Sequence, residues 1–304
     1  MIFTKTIITA LHTAKKGIIF LCAAILLSSM GIHRIDYREA INKNVCKSLK
    51  NEALVYFVFI DSKTTSPWTE FDIRSTLDSI NVAVGWINKK ALENNVSLRL
   101  RANYYIGKPY TTVNKNLTQG SIENTLKNGS LKNGFKELNL WADGIAKKVG
   151  STFNIPEKDG IPEIKSPKNK ERLLAYLRDE NNVESVALVL MVNNYYRSDI
   201  SLVVNRHKSD DIEFAIVSYK YPSEIAHNIL ALYGAAPMYK NIYRKNDKKI
   251  LKLQKEFPND VMLDPYGKDI NRLDLGIYTK YLIGWTNNLD PKYDDLMTDG
   301  FLNF

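Results

Sequence analysis

Cysteine and histidine are both scarce in this chain of 304 residues. There are two cysteines, Cys22 and Cys46, and four histidines, His12, His33, His207 and His227. Cys22 lies inside an apolar N-terminal run, so a disulfide framework is excluded, and no Cys-x-x-Cys pair or Cys/His cluster occurs. With so few imidazoles, a histidine-rich metal centre is out of reach. A glycine-rich phosphate loop, a nucleophile-elbow pattern, internal repeats and low-complexity tracts are also missing. The net charge of +9 comes from lysines spread along the chain with no basic-aromatic reader motif, which sets nucleic acid aside as a partner. A hydrophobic content of 44% with 25% charged residues marks an ordinary globular protein, long enough to bury a sizeable core.

What is present begins at the N-terminus. Lys5, Lys15 and Lys16 precede "GIIFLCAAILLSSMG", residues 17–31, an apolar run without a polar face. The pattern predicts a secretory signal with Ser29 and Gly31 as the small pair, or a membrane anchor, although the run is short of the ~20 residues of a full span. Residues 1–31 are therefore expected to export the protein to the periplasm or cell surface, or to tie it to the membrane. A cytoplasmic location is the alternative. Residues 32–51 read as a connector, helical over 33–51, and 52–304 as the functional domain.

Within that domain "ALVYFVFI", residues 53–60, reads as a buried strand. Ser66 and Pro67 before Glu70 read as the start of a helix with Ile73, Leu77, Ile80, Val84 and Ile87 as its apolar stripe. Residues 96–106 alternate like a half-buried strand, which completes a β-α-β unit. Residues 107–130 read as loop, 131–149 as a helix with Phe135, Leu138, Trp141 and Ile145 on one face, and 155–170 as a linker. A short helix over 170–180 leads into a second buried strand, 183–193. "ISLVVNR" and "IEFAIVSYK" then suggest a hairpin across "HKSDD". The lysine-rich stretch 240–257 reads as a solvated helix with Ile250, Leu253 and Phe257 inward.

Between these elements stands "EIAHNILALYGAAPMY", residues 224–239. On its own it is an apolar helix that stops at Gly234 with Pro237 beyond it, and His227 is then a satisfied core histidine. The stretch also resembles the active-site helix of zincin-type metallopeptidases, bacterial ones of the "HEILHLFGAxDLY" kind in particular. In that family His-Glu-x-x-His puts two imidazoles on one helical face, and the glutamate draws a proton from metal-bound water. The first histidine, the Ile-Leu spacer, the aromatic-Gly-Ala turn and Tyr239 are kept. "FPNDVMLD", residues 257–264, is similar to the methionine turn under the metal, with Met262 as its methionine, and "LDLGIYTKYLIGW", residues 273–285, to the closing helix.

The departures fall on the chemistry. Asn228 stands in the place of the glutamate, Ala231 in that of the second histidine and Pro237 in that of the third ligand, while Gly234 keeps the turn. The resemblance thus implies an α+β, zincin-like fold: a mixed sheet, an active-site-type helix and a mainly helical C-terminal part. It implies a degenerate member, with His227, Asn228, Ala231, Gly234, Pro237, Tyr239 and Met262 as vestigial positions, no catalytic residue and no zinc. Glu224, one turn before His227, is the nearest residual ligand beside it, and Asp260 or Asp264 the nearest further carboxylate. The function implied is the binding of a peptide or protein partner without cleavage. A metallohydrolase with an unorthodox site and a basic surface-binding protein are the alternatives.

Overall fold

The computed structural model describes residues 33–36, 49–106, 112–127, 129–155, 166–194, 199–206, 211–218, 220–241 and 246–301. The expected signal or anchor, both cysteines and most of the connector lie outside them, as do 156–165 of the expected linker. Among the described residues no helix is long and apolar enough to cross a membrane. The chain is α+β with a mixed sheet.

Strand β2 (Asn51–Asp61) is the apolar run read from the sequence, buried from Ala53 to Ile60. A run buried on both faces fits the centre of a largely parallel sheet. It is flanked in parallel by β3 (Leu98–Tyr105) and by β5 (Ser185–Val192), and β5 is followed in parallel by β7 (Phe214–Val217). β6 (Ser201–Val204) runs antiparallel to β7 and ends the order β3-β2-β5-β7-β6. The expected hairpin is therefore present, with β7 also paired to β5. β4 (Val113–Asn114) pairs with Ile60 and Asp61 at the end of β2.

Helices cover both faces. On one lies a core in which Leu54, Tyr56, Val58 and Ile60 meet Leu138, Trp141 and Ile145 of α3 (Leu131–Thr152) and Leu173, Leu174 and Leu177 of α4 (Asn169–Asn181). The helices on either side of the expected linker thus pack on one another. Lys170, fully buried, fixes α4 there through Asn139 at 2.6 Å and Asp211 at 3.1 Å. The alternate residues of β2 turn to the opposite face, where α1 (Glu70–Glu93) packs against α5 (Pro222–Leu232).

Several local expectations are corrected. α1 is capped by Thr69, whose hydroxyl accepts from Asp72 N–H at 3.1 Å while the Asp72 carboxylate accepts from Thr69 N–H at 3.4 Å. That reciprocal box displaces Ser66 and Pro67 as the start, and Ser66 N–H instead binds the Asn193 carbonyl at 2.9 Å. The expected loop 107–130 holds β4 and α2 (Ile122–Lys127). The connector, expected to be helical, carries β1 (His33–Asp36), which pairs with β8 (Thr298–Phe301) as a separate two-stranded sheet. A partner some 260 residues away leaves no local signal, and pairing overrode propensity.

After α5 the chain is mainly helical: α6 (Asp247–Glu256), a 3-10 turn at Ile270–Arg272, α7 (Ile277–Leu282) and a 3-10 turn at Pro291–Leu296. Ile250, Leu253 and Phe257 are buried as read from the sequence. The helix expected over 273–285 is reduced to α7, because Asp274 bridges to Asp260 and Gly276 must approach closely. A Cβ at Gly276 would lie 2.5 Å from Phe257 Cδ1 and 2.9 Å from Asp260 Oδ2.

Asp260, buried at 3% exposure, accepts from Met262 N–H at 2.8 Å, Gly276 N–H at 2.7 Å and Thr279 Oγ1 at 2.8 Å. It holds the 257–264 turn to α7, and burial pushes its carboxyl up to about 6 despite the three donors. Asp260→Ala strands these donors in the interior and should cost about 2–4 kcal/mol in urea unfolding. A loss below about 0.5 kcal/mol would show that the turn does not depend on it.

Candidate functional site

Helix α5 opens with Pro222 at its first turn, where the missing N–H costs nothing. From Ser223 to Leu232 every residue is buried, so this helix is enclosed on all sides. It ends in a Schellman motif: Gly234 N–H reaches the Ala231 carbonyl at 3.2 Å and Ala235 N–H the Leu230 carbonyl at 3.0 Å. Gly234 has φ 98, which a residue with a Cβ adopts only under strain. The chain then returns, and Met238 N–H binds the Met262 carbonyl at 2.8 Å. The turn read from the sequence at 257–264 therefore lies against the helix, with Met262 fully buried.

This bond brings two groups to His227, which is itself 3% exposed. Nδ1 lies 3.1 Å from the Val261 carbonyl and Nε2 3.3 Å from the Tyr239 hydroxyl, with the two rings stacked at 5.8 Å. A carbonyl only accepts, so Nδ1 carries the proton. In the neutral ring Nε2 is then the acceptor, and Tyr239 donates to it. Burial depresses the imidazole pKa to about 4, the Val261 bond opposes this, and the Arg206 guanidinium adds to the depression. Arg206, buried at the end of β6, donates to the Ala235 carbonyl. Beside it burial pushes the Glu213 carboxyl up to about 8, against the pull of Arg206.

Asn228 is equally committed. Its Nδ2 donates to the Glu224 carbonyl at 2.8 Å, and its Oδ1 accepts from the Ser201 hydroxyl of β6 at 2.9 Å. The Ser201 proton is thus aimed at a carboxamide, which cannot take it up. Glu224 accepts from Gly267 N–H at 2.9 Å and Ser223 Oγ at 3.3 Å, and burial raises its pKa. Ala231 and Pro237 are packed into the core.

Around these groups lies a cleft of about 580 Å³, lined by Ser201, Glu224, His227, Asn228, Tyr239 and the segment 263–266 with Lys268 and Gln254. Of the positions singled out in the sequence, the cleft brings together Glu224, His227, Asn228, Tyr239 and Asp264. Ala231, Gly234, Pro237 and Met262 do not line it. Asp260 points to α7. Ala231 and Pro237 carry no donor side chain, the Asn228 amide is hydrogen-bonded through both its atoms, and both His227 nitrogens are engaged. Among the described residues no three His, Cys, Asp or Glu side chains group to hold a metal ion.

Sequence reading missed Ser201, Arg206 and Tyr266. Ser201 was legible as the polar residue that breaks the apolar run of "ISLVV". Nothing local marks Arg206 or Tyr266 as neighbours of the helix. No protein-family model, curated protein or solved structure matches the chain.

The depressed pKa of His227 has a signed consequence. Unfolded, the ring binds a proton below about 6.5; folded, it resists to about 4, so its contribution is full above pH 6.5 and is lost as pH falls through 4. The window corresponds to about 3 kcal/mol. Asp260 and Glu224, whose pKa values are raised, slope the other way and are common to both proteins in a comparison of wild type with His227→Gln. The stability of the variant, from urea melts, should decline less between pH 6.5 and 4. Parallel curves would contradict the neutral buried imidazole.

Proposed function

We propose that this chain is a catalytically inactive, zincin-type metallopeptidase-like protein that works by holding a peptide or protein segment in the cleft beside α5. The observation that carries the reading is the engagement of His227, with Nδ1 given to Val261 and Nε2 taken up by Tyr239. An imidazole spent on two protein partners serves packing, and the position of the catalytic glutamate is spent likewise, on Ser201 and the helix backbone through Asn228.

The frame supports the family reading. A mixed sheet leads into a buried helix that stops at a glycine. A methionine-bearing turn then returns beneath the helix, and the rest of the chain is mainly helical. What departs is confined to the ligand and base positions. Retained shape with lost chemistry is what a binding descendant of an enzyme requires: a cleft edged by a strand, able to take an extended segment without cutting it. The apolar segment 17–31 adds the expectation of export or anchoring, and with it the expectation of a partner outside the cytoplasm.

An unstructured protein such as casein, incubated with the chain and zinc, tests this reading. It should remain intact, and His227→Ala should leave cleavage at the same background. Zinc-dependent cleavage that disappears in His227→Ala would overturn the inactive reading.

A further inference from the structure

β6 separates two cavities. Side chains alternate across a strand, so Ser201 points to the α5 face, where it meets Asn228, while Leu202 and Ile200 point to the other face and pack on the core around Trp141. The cleft beside His227 lies on the first face. On the second is a more apolar cavity of about 260 Å³, walled by Leu117, Ile122, Leu126, Trp141, Ile200 and Leu202. Ser201 borders both. The second cavity reaches Val192 at the carboxyl end of β5. There β3 and β5 leave β2 in opposite directions, the place where open sheets take ligands.

The backbone between the cavities, at Ser201, lies at the edge of the sheet. β6 is the last strand of the sheet. Ser218 N–H donates to the Ile200 carbonyl at 2.9 Å and Ile200 N–H to Ser218 Oγ at 2.6 Å, so Ile200 faces β7. Antiparallel alternation then turns the N–H and C=O of Ser201 outward, where no described strand pairs with them. At the other end of β6 the amides of Asn205 and Asn139 exchange hydrogen bonds, each of 2.7 Å, and close the strand against α3. The opening is thus centred on Ser201.

Charge specifies the occupant. Glu224 and Asp264 line the cleft, and Asp199 and Glu123 the second cavity, with Lys268 as the one cation among the described lining residues. Lys268 is spent on Asp264 at 3.0 Å, and Glu123 is paired with Lys127. Glu224 meets only neutral donors, and Asp199 is near enough for the two charges to repel. Among the described lining residues the opening of this chain of net charge +9 is therefore acidic, which favours a cation there. Tyr266, exposed on the rim and paired edge-on with Tyr221 at 6.4 Å, offers a ring to the stem of such a cation.

We propose that this opening takes an extended peptide with alternating basic and apolar side chains, added as a strand on β6. The peptide residue opposite Ser201 exchanges N–H···O=C bonds with it and sends a lysine or arginine toward Glu224, on the face that Ser201 itself uses. Its neighbours send apolar side chains into the second cavity. The inference rests on the reading of the cleft as a peptide-binding site.

Fluorescence anisotropy with a labelled peptide of alternating Lys and Leu tests it, against a block peptide of the same composition and an alternating Glu–Leu peptide. The Lys–Leu peptide should bind about tenfold tighter than either. N-methylation of its central lysine, which leaves the protein untouched, should weaken it about tenfold. Glu224→Gln should remove the preference for Lys over Glu, and Leu202→Trp, which fills the second cavity, should weaken the Lys–Leu peptide. Circular dichroism of both variants checks that they fold. Equal binding of the block peptide or of the Glu–Leu peptide overturns the alternation and leaves the binding reading standing. If neither these peptides nor a random-sequence peptide pool is retained, the binding reading has failed and this inference with it.

Discussion

The hydrogen bond between the His227 ring and the Val261 carbonyl joins two segments 34 residues apart, and the arrangement of the cleft depends on it. It ties the middle of α5 to the turn below. Asp260 ties that turn to α7, and the Met238–Met262 bond ties it to the chain leaving the helix. Tyr239 is thereby placed over the imidazole, and its hydroxyl takes the second nitrogen. Each of these contacts is polar and nearly dry, which makes it costly to break and keeps the imidazole neutral. A residue type associated with metal chemistry thus serves as a structural pin.

Asn228, Ala231 and Pro237 follow the same logic. A helix that presents ligands to a metal must keep one face polar and open. Here Ala231 and Pro237 lie in the core, and α5 is buried from Ser223 to Leu232 and stabilised by packing. Asn228 turns what remains of the polar face into a link between helix and edge strand. That link positions Ser201, and through it β6, at the mouth of the cleft. Asn228 therefore fixes the strand to which a peptide is proposed to add.

Much of this was legible in the sequence, for identifiable reasons. The buried strands at 53–60 and 183–193 declared themselves by unbroken apolar runs, and α3 by Leu138, Trp141 and Ile145 at helical spacing. The stop at Gly234 and the turn at 257–264 were legible because both depend on short-range chemistry. What failed depends on distant partners. β1 is a strand because β8 pairs with it, α1 starts at Thr69 because Asp72 completes its cap, and α7 is short because Asp274 bridges back to Asp260. In the site, His227, Asn228 and Tyr239 were visible from their spacing on one segment. Ser201 showed only as a polar break in an apolar run and Arg206 not at all, since only the order of strands in the sheet brings β6 beside α5.

The central claim is that both nitrogens of His227 belong to the protein. Long-range proton–nitrogen NMR correlation of the imidazole at neutral pH, before and after addition of zinc, tests it most directly. The account predicts a neutral ring protonated on Nδ1, with its nitrogen shifts unchanged by the metal. A shift of Nε2 to a metal-bound value at one equivalent of zinc would contradict it and would make the helix at 222–232 a working ligand platform.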